Sequence, residues 1–109
     1  MKYVFDLDNT LCKTQESNYF NSTPLIDRIK IVNKLYDEGN IIIIYTARGM
    51  GTTDNNQIKA IEKYYSLTES QLKTWGIQYH NLILGKPSGD YYIDDKGVND
   101  YEFFERNTP

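Results

Sequence analysis

Two aspartates stand two residues apart near the start of the chain, Asp6 and Asp8, and an adjacent pair, Asp94 and Asp95, stands near its end. Between these pairs come Thr46 and Arg48, which follow the run Ile41-Ile42-Ile43-Ile44-Tyr45, and Lys86, which sits between Gly85 and Pro87. On one rim, three or four carboxylates, a hydroxyl and two cations would repel as a set unless a metal cation sat among them. Oxygen ligands of this kind suit Mg²⁺, which takes few carboxylates and fills its shell with water and phosphate.

For these residues to meet, strand ends must carry them to one edge. Lys2 to Leu7 predicts a first strand, with Tyr3, Val4 and Phe5 all β-favouring, stopped by the turn formers Asp8-Asn9-Thr10. A helix is expected over Pro24 to Glu38, with Thr23 as N-cap and Pro24 at its first position. Leu25, Ile29, Val32 and Tyr36 repeat there at helical spacing, and Gly39 is the natural stop. Ile41 to Tyr45 lacks alternation and predicts a strand buried on both faces. After a polar loop at Gly49 to Asn56 comes a helix carrying Ile58 and Ile61 into Tyr64-Tyr65. Thr68-Glu69-Ser70-Gln71 then reads as a capping box for a further short helix ending at Trp75-Gly76. Leu82 to Leu84 is a third expected strand and Tyr91 to Ile93 a fourth, and Asn99 caps a last helix with Val98, Phe103 and Phe104. The alternation predicts a single α/β domain over 1–109: a doubly wound, Rossmann-like parallel sheet with helices on both faces. Ligands bind such sheets at the carboxyl ends of the strands. Asp6 and Asp8, Thr46 and Arg48, Gly85 and Lys86, and Asp94 and Asp95 fall at those four ends in turn.

The composition is that of an ordinary globular chain: 109 residues, 39% hydrophobic and 25% charged, enough for one core without staples. A net charge of −3 with no basic run argues against nonspecific nucleic-acid binding. No apolar run is long enough to span a bilayer, so no membrane partner is expected. Asp6 and Asp8 occupy the place where an export signal would need apolar residues, and the single Cys12 cannot form an internal disulfide. These features lead to the expectation of a cytoplasmic domain.

Asp6-Leu7-Asp8-Asn9-Thr10 resembles the DxDxT signature of the haloacid dehalogenase superfamily. Thr46 resembles its second motif, Lys86 in Gly85-Lys86-Pro87 its third, and Asp94-Asp95 its fourth, all in order over residues 6 to 95. Thr46-Ala47-Arg48 before a polar loop, with Lys96 after the last acidic pair, is similar to the small capsule-biosynthesis phosphatases of that superfamily. The resemblance implies a Mg²⁺-dependent hydrolase of phosphate monoesters that works through an aspartyl-phosphate. Asp6 would be the nucleophile and Asp8 the general acid and base. Thr46 would donate its hydroxyl to the phosphoryl group and Lys86 would balance its charge. Asn9, Thr46, Ala47, Arg48 and Lys86 would surround the phosphoryl group. Asp6, Asp8 (through its backbone carbonyl), Asp94 and Asp95 would form the metal set. The implied substrate is a small-molecule or glycan-linked phosphate ester, such as a phosphorylated sugar or capsular building block. Asp8 favours a phosphatase or phosphotransferase, because by the same resemblance dehalogenases lack the second carboxylate and transport ATPases carry Thr there. A phosphotransferase with the same intermediate and a non-catalytic binding domain are the alternatives.

Each residue also has a plainer reading. Aspartates at strand ends are often turn formers, Thr46 is an ordinary strand residue, and Lys86 alone would be a solvated lysine. Arg48 either anchors a loop or grips a second anionic group of the substrate. Lys96 pairs with neighbouring carboxylates, His80 lies on the surface, Cys12 packs, and most of the ten Tyr residues pack on the sheet. The 13 residues of Leu11 to Thr23 and the 39 between Thr46 and Lys86 leave no room for an inserted cap domain. Cover for the site must then come from a neighbouring subunit of a homo-oligomer, from a large substrate, or from the loops Cys12 to Thr23 and Gly49 to Asn56.

Overall fold

A computed structural model describes residues 1–108. Strands β1 (Lys2–Phe5), β4 (Ile41–Thr46) and β5 (Asn81–Leu84) form a three-stranded sheet in the order β1-β4-β5. Both pairings are parallel, with Phe5 beside Ile44 and Thr46 beside Leu84. Helix α1 (Ile26–Asp37) connects β1 to β4, and α2 (Gln57–Thr74) connects β4 to β5.

The two crossovers step in the same direction across the sheet, so right-handed connections carry both helices to one face. On that face Phe5, Ile42, Ile44 and Leu84 are buried, and the core they form includes Ile29 and Val32 of α1 and Leu72 of α2. The other face is open, with Val4 59% and Ile83 42% exposed. The described residues therefore form a single-sided sheet, where the unbroken Ile41 to Tyr45 run predicted cover on both faces. Ile42 and Ile44 are fully buried, whereas Ile41 is exposed and Ile43 and Tyr45 are half-buried.

Long-range pairing also overrides local helix signals. Thr23–Pro24 is not the start of α1 but a short strand, β3, paired antiparallel with β2 (Cys12–Lys13). Helix α1 begins two residues later than expected, and its N-cap, Leu25, has no side-chain cap bond. Gly39, at φ 94, ends the helix as expected. Between the two short strands lies only a 3-10 turn at Tyr19–Asn21, so the insertion is far smaller than a domain.

Helix α2 is one continuous element of 18 residues, capped by Asn56, which accepts from the Lys59 N–H at 3.0 Å. The expected second helix start at Thr68 is instead mid-helix: Thr68 is fully buried, on the same face as Ala60 and Leu72. Ile58 and Ile61 point to solvent.

The expected fourth strand does not pair. Tyr91 and Ile93 are 85% and 97% exposed, and β1 is left at the edge of the sheet. Helix α3 (Asp100–Arg106) follows, capped by Asn99 as expected, with Val98 outside it. Phe103 meets Phe5 edge to face at 5.5 Å, Phe104 is buried, and Asp100 bonds Arg28 of α1 at 2.6 Å. No helix among the described residues is long and apolar enough to cross a membrane.

The one-sided core makes a stability prediction. Ile44→Ala removes packing on the covered face and should cost roughly 2–5 kcal/mol, whereas Ile83→Ala on the open face should cost under about 1 kcal/mol. Urea unfolding followed by circular dichroism measures both. Equal costs would contradict the one-sided packing.

Candidate functional site

After β1 the chain turns tightly over Leu7, whose carbonyl accepts from the amides of Thr10, Leu11 and Cys12. Asn9 takes φ 62, a left-handed conformation that asparagine tolerates. Its side-chain oxygen accepts from the Thr14 N–H at 3.1 Å. This turn gives Asp6 and Asp8 different partners.

Asp6 accepts the Thr10 hydroxyl on Oδ2 at 3.0 Å, and Lys86 Nζ lies 3.4 Å from its Oδ1. The carboxylate is about one-third exposed. Lys86 is delivered by β5: the amides of Gly85 and Lys86 both donate to the Thr46 carbonyl at 3.2 Å. The Tyr92 ring lies 4.2 Å from Lys86 Nζ, and the Tyr92 hydroxyl donates to the Pro87 carbonyl at 2.7 Å. A cation over an aromatic face in this way is held by the ring's quadrupole.

Asp8 is clamped by Arg48. The guanidinium donates through Nε to both carboxylate oxygens, at 3.2 and 3.1 Å, and through Nη2 to Oδ1 at 3.0 Å. Thr14 adds its hydroxyl to Oδ1 at 2.6 Å. Arg48 itself is fully buried, its other end bonded to Thr68 and Gln71 of α2 and stacked 5.1 Å over the Tyr19 ring. Gln71 also donates to the Tyr19 carbonyl at 2.7 Å, and the Tyr19 hydroxyl accepts from the Gly49 N–H at 3.3 Å. Gly49, at φ 78, has no room for a side chain: a Cβ there would lie 2.6 Å from the Tyr64 ring.

Asp6, Asp8 and Lys86 face one cavity of about 300 Å³. Glu16, Ser17 and Tyr19 wall it on one side, and Ala47, Gly51, Ser88 and Tyr92 on the other. Both loops expected as cover, Cys12 to Thr23 and Gly49 to Asn56, thus contribute to it.

Other expected site residues lie elsewhere. Thr46 is fully buried and its hydroxyl oxygen accepts from the Arg48 N–H at 3.1 Å, so Ala47 lines the cavity in its place. Asn9 braces Thr14 and does not line the cavity. Arg48 is an anchor: its charge is spent inside the protein. Asp94 and Asp95 are exposed on the loop before α3, outside the cavity. The Lys96 amide donates to Asp94 at 3.0 Å and holds its carboxyl below the usual range. Cys12 is buried, which pushes its thiol up and leaves it a packing residue. His80 is on the surface, stacked on Tyr36 at 4.7 Å.

Within one chain these residues do not complete a Mg²⁺ site. The Asp8 carboxylate is committed to Arg48, which leaves only its backbone carbonyl for a metal, Asp94 and Asp95 lie outside the cavity, and no three His, Cys, Asp or Glu side chains gather among the described residues. Sequence reading missed Thr14, Thr68 and Gln71. For Thr68 and Gln71 the signal was polar residues on the helical face that carries Ala60 and Leu72; Thr14, in the loop after β2, had none.

No protein-family model matches the chain, and no curated protein matches it. Among solved structures, a structural-genomics target from Vibrio cholerae is 32% identical, with a TM-score of 0.87 over 94% of this chain and 86% of that one. The chain belongs to that protein's family. Chains of the Pnkp1/Rnl/Hen1 RNA repair complex, in two structures, are 21% and 19% identical, each with a TM-score of 0.57. They match 86% and 96% of this chain but only 31% and 30% of their own length, and share its fold.

For this member of the Vibrio protein's family, the two aspartates should respond differently to neutralisation. Asp8→Asn strips the buried Arg48 of its counter-charge and should cost about 3 kcal/mol or more. Asp6→Asn lies at a half-open rim and should change stability by less than about 1 kcal/mol. Denaturant midpoints compare them, and an Asp8→Asn cost under about 1 kcal/mol would show that the Arg48 clamp carries little stability.

Proposed function

We propose that the chain is a hydrolase of the haloacid dehalogenase superfamily, a phosphomonoesterase that forms an acyl phosphate on Asp6. The observation that carries this reading is the pairing of Asp6 with Lys86 in a small cavity beside a second carboxylate held rigidly by Arg48. A cavity of this size suits a phosphoryl group with the remainder of the ester outside it.

In the first step Asp6 Oδ attacks phosphorus, and the bond from phosphorus to the ester oxygen breaks. Asp8 gives that oxygen a proton as it leaves. In the second step water attacks phosphorus, returns a proton to Asp8, and frees Asp6 and inorganic phosphate. Oδ1 of Asp8 already accepts from Arg48 and Thr14, whereas Oδ2 accepts only from Arg48 Nε. Oδ2, the less occupied oxygen, is the one through which the proton would pass. Lys86 balances charge on the phosphoryl oxygens, as a preorganised cation in a partly enclosed site does. The proposed substrate is a phosphorylated sugar or a glycan-linked phosphate ester, with the bulk of the molecule lying outside the cavity.

Phosphate release from nitrophenyl phosphate and from a panel of sugar phosphates tests the reading. Asp6→Asn should lose all turnover while remaining folded. Asp8→Asn should slow sugar-phosphate cleavage by roughly 10²- to 10⁴-fold. On the nitrophenyl ester, whose leaving group needs no proton, it should release a burst of nitrophenol followed by slow turnover. Wild-type turnover in folded Asp6→Asn would overturn the proposal.

A further inference from the structure

The structure leaves an acceptor and a donor unmatched on the same chain. The acceptor is the free edge of β1 together with the open face around Val4. The donor is Tyr91-Tyr92-Ile93, three β-favouring apolar residues in no strand: Tyr91 and Ile93 are held out in solvent, and Tyr92 would exchange its contact with Lys86 for a place in the strand. We propose that two copies of this chain exchange their C-terminal arms, so that Tyr91 to Ile93 of one copy becomes a fourth parallel strand beside β1 of the other.

Chain length argues for a second copy. Lys86 is fixed at the carboxyl end of the sheet by its bond to the Thr46 carbonyl. Only Pro87, Ser88, Gly89 and Asp90 separate it from Tyr91. Reaching the amino-terminal end of the free edge of β1 means crossing three strand spacings, ~14 Å, and returning ~10 Å along the strand. The straight line through the sheet is then ~17 Å, the full reach of five extended residue steps, with nothing left to pass around it. Parallel neighbours within a chain normally need a dozen or more connecting residues. A partner's arm has no such restriction, and Pro87 to Asp90 is the hinge.

The register follows from matching Tyr91-Tyr92-Ile93-Asp94 to Tyr3-Val4-Phe5-Asp6. Tyr92 then lies beside Val4 on the open face, and Ile93 beside Phe5 on the covered face. Helix α3 of the arriving arm takes the place seen here, against Phe5 and with Asp100 on Arg28. Each copy gives what it receives, so the pair closes as a two-fold dimer. Asp94 of the arriving arm then lands beside Asp6, and the exchange does not depend on the phosphatase reading.

Sedimentation and native mass spectrometry should find a dimer at micromolar concentration. Ile93→Asp changes a residue that is 97% exposed in the single chain, so it should leave the fold intact while converting the dimer to monomer. When Val4→Cys and Tyr92→Cys proteins are refolded together and oxidised, a disulfide should join the two different chains. A monomeric wild-type protein, a dimer that survives Ile93→Asp, or a Val4→Cys/Tyr92→Cys chain that closes its disulfide internally would each overturn the exchange. Mass and cross-linking do not depend on activity, so an inactive wild-type dimer would reject the phosphatase reading alone.

Discussion

The contact on which the rest of the site depends is the buried pair of Arg48 and Asp8. A guanidinium with no solvent contact is tolerated only where its donors are matched, and here Asp8, Thr68, Gln71 and the face of Tyr19 surround it. Those partners come from the turn after β1, from α2 and from the 3-10 turn at Tyr19–Asn21. One side chain thus ties three separate segments to the end of β4. Removing it would leave polar groups unpaired in each of them, which is why the clamp acts as structure as well as chemistry.

The same pair divides labour between the two aspartates. Asp8 is fixed in orientation by a bidentate partner, which suits the proton transfer proposed for it. Asp6 stays at a half-open rim with one lysine nearby, which suits its proposed role as nucleophile. Their separation in environment follows from the turn over Leu7, which needs the left-handed Asn9 between Asp8 and Thr10. Lys86 completes the rim because β5 is in register with β4, its amide held on the Thr46 carbonyl.

Much of this was legible in the residues. The β-favouring runs at Lys2 to Leu7 and Ile41 to Tyr45, the stop at Gly39 and the cap at Asn99 are local signals, and they survive in the fold, although the first strand ends at Phe5, before the turn over Leu7. What failed was governed by distant contacts. Thr23 and Pro24 read as a helix start, but pairing with Cys12 and Lys13 draws them into a ribbon. Thr68 read as a cap because it is polar, yet it is buried to bond Arg48, a partner 20 residues away. Arg48 was open between anchor and substrate ligand because sequence cannot show which side of a strand end is solvent. Tyr91 to Ile93 has the composition of a strand, but it pairs with neither edge strand of its own chain, and the short tether from Lys86 keeps it from a parallel place beside β1.

The central claim is that phosphate is carried covalently by Asp6. The most direct test is to quench Asp8→Asn protein during its burst with nitrophenyl phosphate, digest it in acid, and locate the phosphate by peptide mass spectrometry. The account predicts one phosphate on the peptide containing Asp6, absent from the Asp6→Asn/Asp8→Asn protein. Nitrophenol release without any phosphorylated peptide, or with phosphate on another residue, would contradict it.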